Sequence, residues 1–394
     1  MENSVSSNIR KAYFFEFFSG LHFISGVLVP FFVEWGGISF FQITILQSWF
    51  VFCAFFLEVP TGVIADYFGR KASISLACIF NILAVIIYIL KPLFWIFMIG
   101  ELFWDIYITL LSGANEALIY DSLKIVNKEK EVKKIFGRKK SFSLLSLTIA
   151  GPIGSFIASQ FGMKWTMFSM VIPFTVAFFI SLSFEEPKIH KITEKKQTYL
   201  QTLKEGIKYL HQNSQLKILA LDGIVINILC FLLIWLYQLV LKDLKINIIY
   251  FGFVHMIITI SQIIIMNSFE TLERMCKSKI RYLFVSAFIP GASFIFLGIN
   301  THVIPSIVAM ALIAGFGITR FVLISSYLQK HIFSHNRATV NSTISMFRRL
   351  GSAILYPFIG WMAEFSLDSM LVLLGITIIL FALFSKTKES DLLD

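Results

Sequence analysis

A dozen apolar stretches, each long enough to cross a lipid bilayer, follow one another along this chain, separated by short polar connections. They run roughly over 12–34, 40–63, 72–90, 93–120, 141–160, 163–184, 216–241, 248–269, 282–300, 302–328, 338–363 and 367–385. A helix needs about 20 apolar residues to span the hydrocarbon core. One such stretch could be the core helix of a soluble domain; twelve in series could not. The residues are 57% hydrophobic and 15% charged, with mean hydropathy +0.77, whereas soluble domains hold about 45–50% apolar and about 25% charged residues. Lipid offers no partner for backbone N–H and C=O, so the spans must be helices. The expected fold is an all-α membrane protein with twelve transmembrane helices.

The net charge of +10 invites a nucleic-acid reading, but the placement of the charge argues against it. With a cytoplasmic N-terminus, 29 of the 34 Lys and Arg are assigned to the cytoplasmic side, Lys217 in the seventh span and Arg348 and Arg349 in the eleventh counted among them. Lys91, Lys164, Lys242 and Lys245 lie outside, and Arg320 lies within a helix. This is the positive-inside asymmetry of an even-numbered bundle with both termini cytoplasmic. The bases orient the chain and meet anionic lipid headgroups, so membrane lipids are expected partners and nucleic acid is not. The segment MENSVSSNIR is polar and no small-residue cleavage site follows the first span, so no removable signal peptide is expected. Cys53, Cys78, Cys230 and Cys276 form no CxxC pair. They are expected as small buried hydrophobes, with no metal and no cofactor.

The spans divide as six, a polar stretch, and six. The expected units are an N-terminal bundle over 1–184, a cytoplasmic linker over 185–215 and a C-terminal bundle over 216–394. Within the linker Leu200, Leu203, Ile207 and Leu210 recur at helical spacing. They predict an amphipathic helix on the cytoplasmic membrane surface, or else a solvated connection.

One loop carries a specific signal. Gly62-Val63-Ile64-Ala65-Asp66-Tyr67-Phe68-Gly69-Arg70-Lys71 lies between the second and third spans. Gly62 and Gly69 are expected to let the backbone turn tightly there, and the acid and bases to form a charge network at the cytoplasmic mouth. The run resembles the G-x-x-A-D-x-x-G-R-K loop of the major facilitator superfamily. Leu272–Lys279 reads as a decayed second copy that keeps acid and bases and loses the glycines. Ser112–Leu123, Glu58–Gly62 and Arg337–Ser342 are similar to a bacterial efflux-like branch of that superfamily. The resemblance covers nearly the whole chain and implies two pseudo-symmetric six-helix bundles. It also implies a conformational lock in which Asp66 caps the helix beginning near Arg337 and Arg70 pairs with Asp121. Two features depart from the family's proton antiporters. Gly100 is followed by Glu101 where an Arg is common, and Gly151-Pro152-Ile153-Gly154-Ser155 is a broken form of G-P-x-x-G-G. The Gly and Pro there permit a kink and close helix contact, or loose packing without a role in coupling.

Ionisable groups in a bilayer cost at least about 2.5–3.5 kcal/mol each at mid-depth, so each one present is a candidate site. Glu101 and Asp105 are four apart and share a helix face. Two carboxylates this close in low dielectric cannot both stay ionised cheaply, which suits a site for a proton, a cation or a cationic substrate; solvation at the outer mouth is the plainer alternative. Glu16 and Arg320 lie in the cytoplasmic thirds of the first and tenth spans, which line the cavity in the family the chain resembles. They are placed to meet across it, or else form a static helix-end ion pair. His22, Glu58, Glu116, Asn227 and Gln238 are secondary candidates. Phe23, Trp104 and Tyr107 are aromatics that could line a cavity for lipophilic cargo.

The expected function is secondary active transport of a small amphipathic molecule by alternating access, as proton-coupled efflux from the cell membrane, by a monomer. A lipid translocator on the same fold and a non-transporting sensor are the alternatives. No Walker loop, H-x-x-x-x-D or G-x-S-x-G run is present, so an enzyme is not expected.

Overall fold

A computed structural model describes residues 2–187, 199–333, 336–385, 387–389 and 392, and all regular structure among them is helical. The principal helices are α1 Glu2–Ser19, α2 Phe40–Phe68, α3 Arg70–Leu90, α4 Phe94–Leu111, α5 Ala114–Ile125, α6 Val132–Phe161, α7 Met163–Ser169 and α8 Val171–Leu182. They continue with α9 Tyr199–Gln212, α10 Ser214–Phe231, α11 Leu233–Asp243, α12 Phe251–Asn267, α13 Phe269–Cys276, α14 Lys279–Ile299, α15 Val303–Leu312, α16 Arg320–His331, α17 Arg337–Phe365 and α18 Leu367–Leu383. The chain packs as two units, Met1–Glu194 with Asn247–Met256 and Lys195–Ile246 with Ile257–Asp394.

Among the described residues, nine helical stretches are long and apolar enough to cross a membrane. The other three expected spans are helical but differ in character. The first is interrupted between Ser19 and Phe23, and resumes through the short turns Phe23–Gly26, Leu28–Pro30 and Phe31–Trp35. The eleventh, α17, carries Arg348 and Arg349 well inside the helix rather than with the cytoplasmic bases. The twelfth, α18, is 17 residues long.

Helix ends follow local chemistry. At the start of α2 the Gln42 amide N–H donates to Ser39 Oγ at 3.3 Å while Ser39 N–H donates to Gln42 Oε1 at 2.9 Å. This reciprocal cap satisfies two orphan donors.

Packing in the first unit is set by α6. Its buried face carries Ser146, Ala150, Gly154 and Ala158, a small residue at every fourth position. Small residues let membrane helices approach closely where no hydrophobic force separates helix from lipid. A Cβ on Gly154 would overlap the Phe23 carbonyl, and one on Gly252 would overlap the Gly151 carbonyl. Gly151 and Gly154 therefore serve tight contact rather than loose packing. Gly154→Ala is expected to cost about 1–3 kcal/mol through forced backbone shifts, read as a lower unfolding midpoint in detergent. Gly137→Ala on the same helix is the control. Its Cβ meets nothing within 4 Å, and Ala is the better helix former by about 0.5–1 kcal/mol.

In the second unit a Cβ on Gly375 of α18 would overlap the Gly291 carbonyl of α14. The linker helix α9 packs on α17, its Gly206 buried against Thr343. That departs from a solvated connection. Leu210 is buried and Ile207 exposed; the side chains of Leu200 and Leu203 lie outside the described residues.

Candidate substrate cavity and cytoplasmic loop

The first unit encloses a cavity of about 510 Å³. Glu16 of α1 reaches it from one side, Asn115 and Glu116 of α5 and Lys139 of α6 from another, and Trp104 and Tyr107 of α4 close it with His22. Glu16 is the centre of the polar wall. Asn115 Nδ2 donates to its Oε1 at 2.7 Å, and Lys139 Nζ lies 3.1 Å from the same oxygen. Lys139 is buried. It reaches the site because α6 begins at Val132, ahead of the expected span at 141, and carries one base of a Lys- and Arg-rich run inward. Helical phase put it on the buried stripe, four residues from Ser143 and seven from Ser146, and that was the signal available in the sequence.

The opposite wall is aromatic. The His22 ring stands 5.4 Å from that of Trp104 and 5.5 Å from that of Phe174, edge on in both cases. Its Nε2 donates to the Ser19 carbonyl at 2.9 Å, which fixes the proton on that nitrogen. Phe23 does not line the cavity; its backbone is pressed against Gly154.

Glu101 and Asp105 share a face, as their spacing requires, and both are buried. That face is not the cavity wall. Successive residues on a helix point about 100° apart, so Trp104 and Tyr107 face the cavity while the carboxylates turn elsewhere. Gln47 of α2 donates its amide to Glu101 Oε1 at 3.3 Å. Solvation at the outer mouth is excluded by the burial.

In the second unit Arg320 of α16 pairs with Asp222 of α10, Nη2 to Oδ1 2.6 Å, with side chains only 2% and 4% exposed. Ser385 donates to the other Asp222 oxygen at 3.1 Å. Glu16 and Arg320 each have a partner within their own unit, Lys139 and Asp222. Asn227 is buried and donates to the Ile318 carbonyl at 3.2 Å. That carbonyl ends a π-helical turn, Ile313–Ile318, where backbone acceptors lose their regular donors. Gln238 is buried in α11, whereas Glu58 is exposed on α2.

The loop motif takes a form the glycine pair did not predict. Gly62 lies inside α2, which continues to Phe68, so it makes no turn. Gly69 alone reverses the chain, at φ 96°, a region that favours glycine. Arg70 forms an ion pair with Asp121 of α5 and donates to the Ala117 carbonyl in the first turn of that helix. The side chain of Asp66 lies outside the described residues. Arg337 is exposed at the first turn of α17, its Nε 3.4 Å from the Ile332 carbonyl.

A carboxylate missed in the sequence completes the loop. Glu186 accepts from the backbone N–H of Arg70 at 2.9 Å and of Lys71 at 2.7 Å, capping α3 where its dipole is positive. The second unit repeats the device. Glu389 accepts from Ser278 Oγ at 2.6 Å and from the N–H groups of Lys279 and Ile280 at 2.9 and 3.0 Å, at the start of α14. In each unit an acid beyond the last helix caps the helix that follows the loop motif.

The Ser278 hydroxyl, then the backbone N–H groups and the Lys279 charge, hold the Glu389 carboxyl below its ordinary 4.5. A lowered native value stabilises the fold above the unfolded value, and the gain is lost as pH falls through the lowered one. Wild-type protein should therefore lose thermal stability more steeply than Glu389→Gln on acidification below about pH 4.5. Parallel curves would remove the cap from the account.

The family profile described as the Major Facilitator Superfamily matches residues 12–356. No curated protein sequence matches the chain. Among solved structures, the fold is similar to a variant of the nucleoside transporter NupG at TM-score 0.77 and 13% identity, covering 96% of this chain and 98% of that one. It is similar to a POT family transporter in complex with 5-aminolevulinic acid, at TM-score 0.73 and 13% identity, covering 95% and 94%. The POT family transporter PepTSo gives TM-score 0.69 and 12% identity, covering 97% and 98%.

Proposed function

Because this chain belongs to the major facilitator superfamily, we propose that it is a secondary transporter that moves a small amphipathic molecule by alternating access, by proton-coupled efflux across the cell membrane. The observation that carries this reading is the two-sided cavity of the first unit. One wall offers a carboxylate, an ammonium and an amide in mutual contact, and the other offers His22, Trp104 and Tyr107. A solute with one polar, charge-bearing end and one apolar end satisfies both walls. A sugar would leave the aromatic wall partly unused and needs more hydrogen-bonding groups than this cavity shows.

Glu16 is the coupling group of the cavity. Deprotonated, Glu16 can hold a cationic group of the cargo in place of Lys139. Protonation removes that attraction and releases the cargo, so proton and cargo compete for the site as antiport requires. Glu101 and Asp105, turned from the cavity, hold α4 against its neighbours. Asp222 and Arg320 join α10 to α16. Arg70, Asp121 and Gly69 form the first unit's share of a cytoplasmic lock whose other members are Asp66 and Arg337. The outward direction rests on the resemblance of Ser112–Leu123, Glu58–Gly62 and Arg337–Ser342 to an efflux-like branch.

A ligand-stabilisation screen of the purified protein tests the substrate class, since a ligand that binds the native state raises the unfolding midpoint. Small zwitterions and cations carrying an apolar group are expected to stabilise the protein, with nucleosides weaker and sugars inert. Stabilisation by sugars alone would overturn the reading.

A further inference from the structure

The second unit holds a pocket of its own. It has a volume of about 360 Å³ and lies where α9, α10 and α17 meet. Lys217, Ala220, Leu221 and Ile224 line it from one face of α10, at the i, i+3, i+4, i+7 spacing of a helical stripe. Leu210 and Phe347 close it from α9 and α17.

The pocket is polarised along its length. Lys217 stands at one end of the α10 stripe and Ile224 at the other, seven residues or about 10 Å apart at 1.5 Å per residue. His211 stands at the basic end with it. Among the described residues neither Lys217 nor His211 forms an ion pair. Lys204 and Lys208 are exposed on the same short helix as His211, so the mouth has a positive excess. An apolar slot beside a span, with uncompensated bases at one end, matches a molecule with an anionic head and a hydrocarbon tail. Leu221 and Phe347 remain 48% and 41% exposed at the slot, which leaves apolar surface for a chain to cover.

We propose that this pocket binds one anionic phospholipid, its phosphate against Lys217 and His211 and one acyl chain along Ala220, Leu221 and Ile224. A Lys near an anionic surface is worth about 1 kcal/mol, so Lys217 predicts a preference for an anionic over a zwitterionic headgroup of roughly fivefold, with the His211 ring a further hydrogen-bonding group for the phosphate. The α9 helix, tied to α17 through Gly206 and Thr343, would then be held by lipid on its other side.

The test is native mass spectrometry of the full chain in detergent, titrated with phosphatidylglycerol or with phosphatidylcholine of the same acyl chains. Wild-type protein should take up one tight phosphatidylglycerol, with phosphatidylcholine roughly fivefold weaker. Lys217→Gln with His211→Gln should bring the two lipids to equal affinity. Ile224→Trp, which fills the slot and leaves the bases, should weaken both. Equal binding of the two lipids by wild-type protein would mean annular lipid only and would overturn the proposal. So would a headgroup preference that survives the double substitution. Elution as a single species confirms that each variant has folded, and the lipid readout stands apart from any cargo measurement.

Discussion

Asp222→Asn should destabilise the protein by about 3–5 kcal/mol, the cost of leaving one charge of a buried pair uncompensated. The Arg320 guanidinium and the Asp222 carboxylate are almost wholly enclosed, and Arg320 Nε and Nη1 already lack hydrogen-bond partners. Removing the Asp222 carboxylate leaves a buried cation without the counter-charge that faces it. Replacing both, as Asp222→Leu with Arg320→Met, removes the desolvation cost with the attraction and should recover most of the loss. The measurement is the unfolding midpoint in detergent for the two single variants and the double variant. A single variant as stable as wild type would show the pair to be solvated. A double variant as unstable as the singles would show that the pair does more than compensate itself.

The second large effect falls on transport. Glu16→Gln keeps the size of the side chain and an oxygen for Asn115, yet it carries no exchangeable proton. Cargo binding should persist through the aromatic wall, weaker and independent of pH, while proton-driven accumulation is lost. Lys139 would be left with no counter-charge in a partly buried place, so some loss of stability is expected as well. Glu16→Gln with Lys139→Gln separates the two consequences: stability should return while coupling stays lost. If restoring stability also restored accumulation, Glu16 would be a structural partner of Lys139 and not the coupling group.

Much of this was legible in the sequence, for physical reasons. Twelve apolar stretches leave few alternatives to a helical membrane bundle, because lipid admits no unpaired backbone. Gly69 announced its turn because a positive φ favours glycine. Arg70 and Asp121 were brought together by resemblance, and they form an ion pair. The spacing of Glu101 and Asp105 placed them on one face, but spacing sets only the relative phase of residues on a helix. Which neighbour that face meets depends on how the helices pack, and the cavity fell to Trp104 and Tyr107 instead. Lys139 was hidden among bases that orient the chain, since a residue two positions outside an apolar stretch reads as surface until the true helix start is known. Arg320 was visible as a costly charge, but its pairing with Asp222 joins helices far apart in sequence. Gly62 misled because a glycine near a loop motif suggests a turn, while the surrounding residues sustain a helix through it. Glu186 and Glu389 sit in polar segments beyond the last helix of each unit, where an acid attracts no notice.

The most direct test of the central claim uses proteoliposomes with an acidic interior, supplied externally with a cargo found by stabilisation. Proton exit through an antiporter drives cargo inward, so wild-type protein should accumulate it above the external concentration and lose that accumulation when the pH gradient is collapsed. Glu16→Gln should exchange labelled for unlabelled cargo at equal pH and accumulate none under the gradient. Gradient-driven accumulation by Glu16→Gln at the wild-type level would contradict the assignment of Glu16 as the group that couples protons to transport.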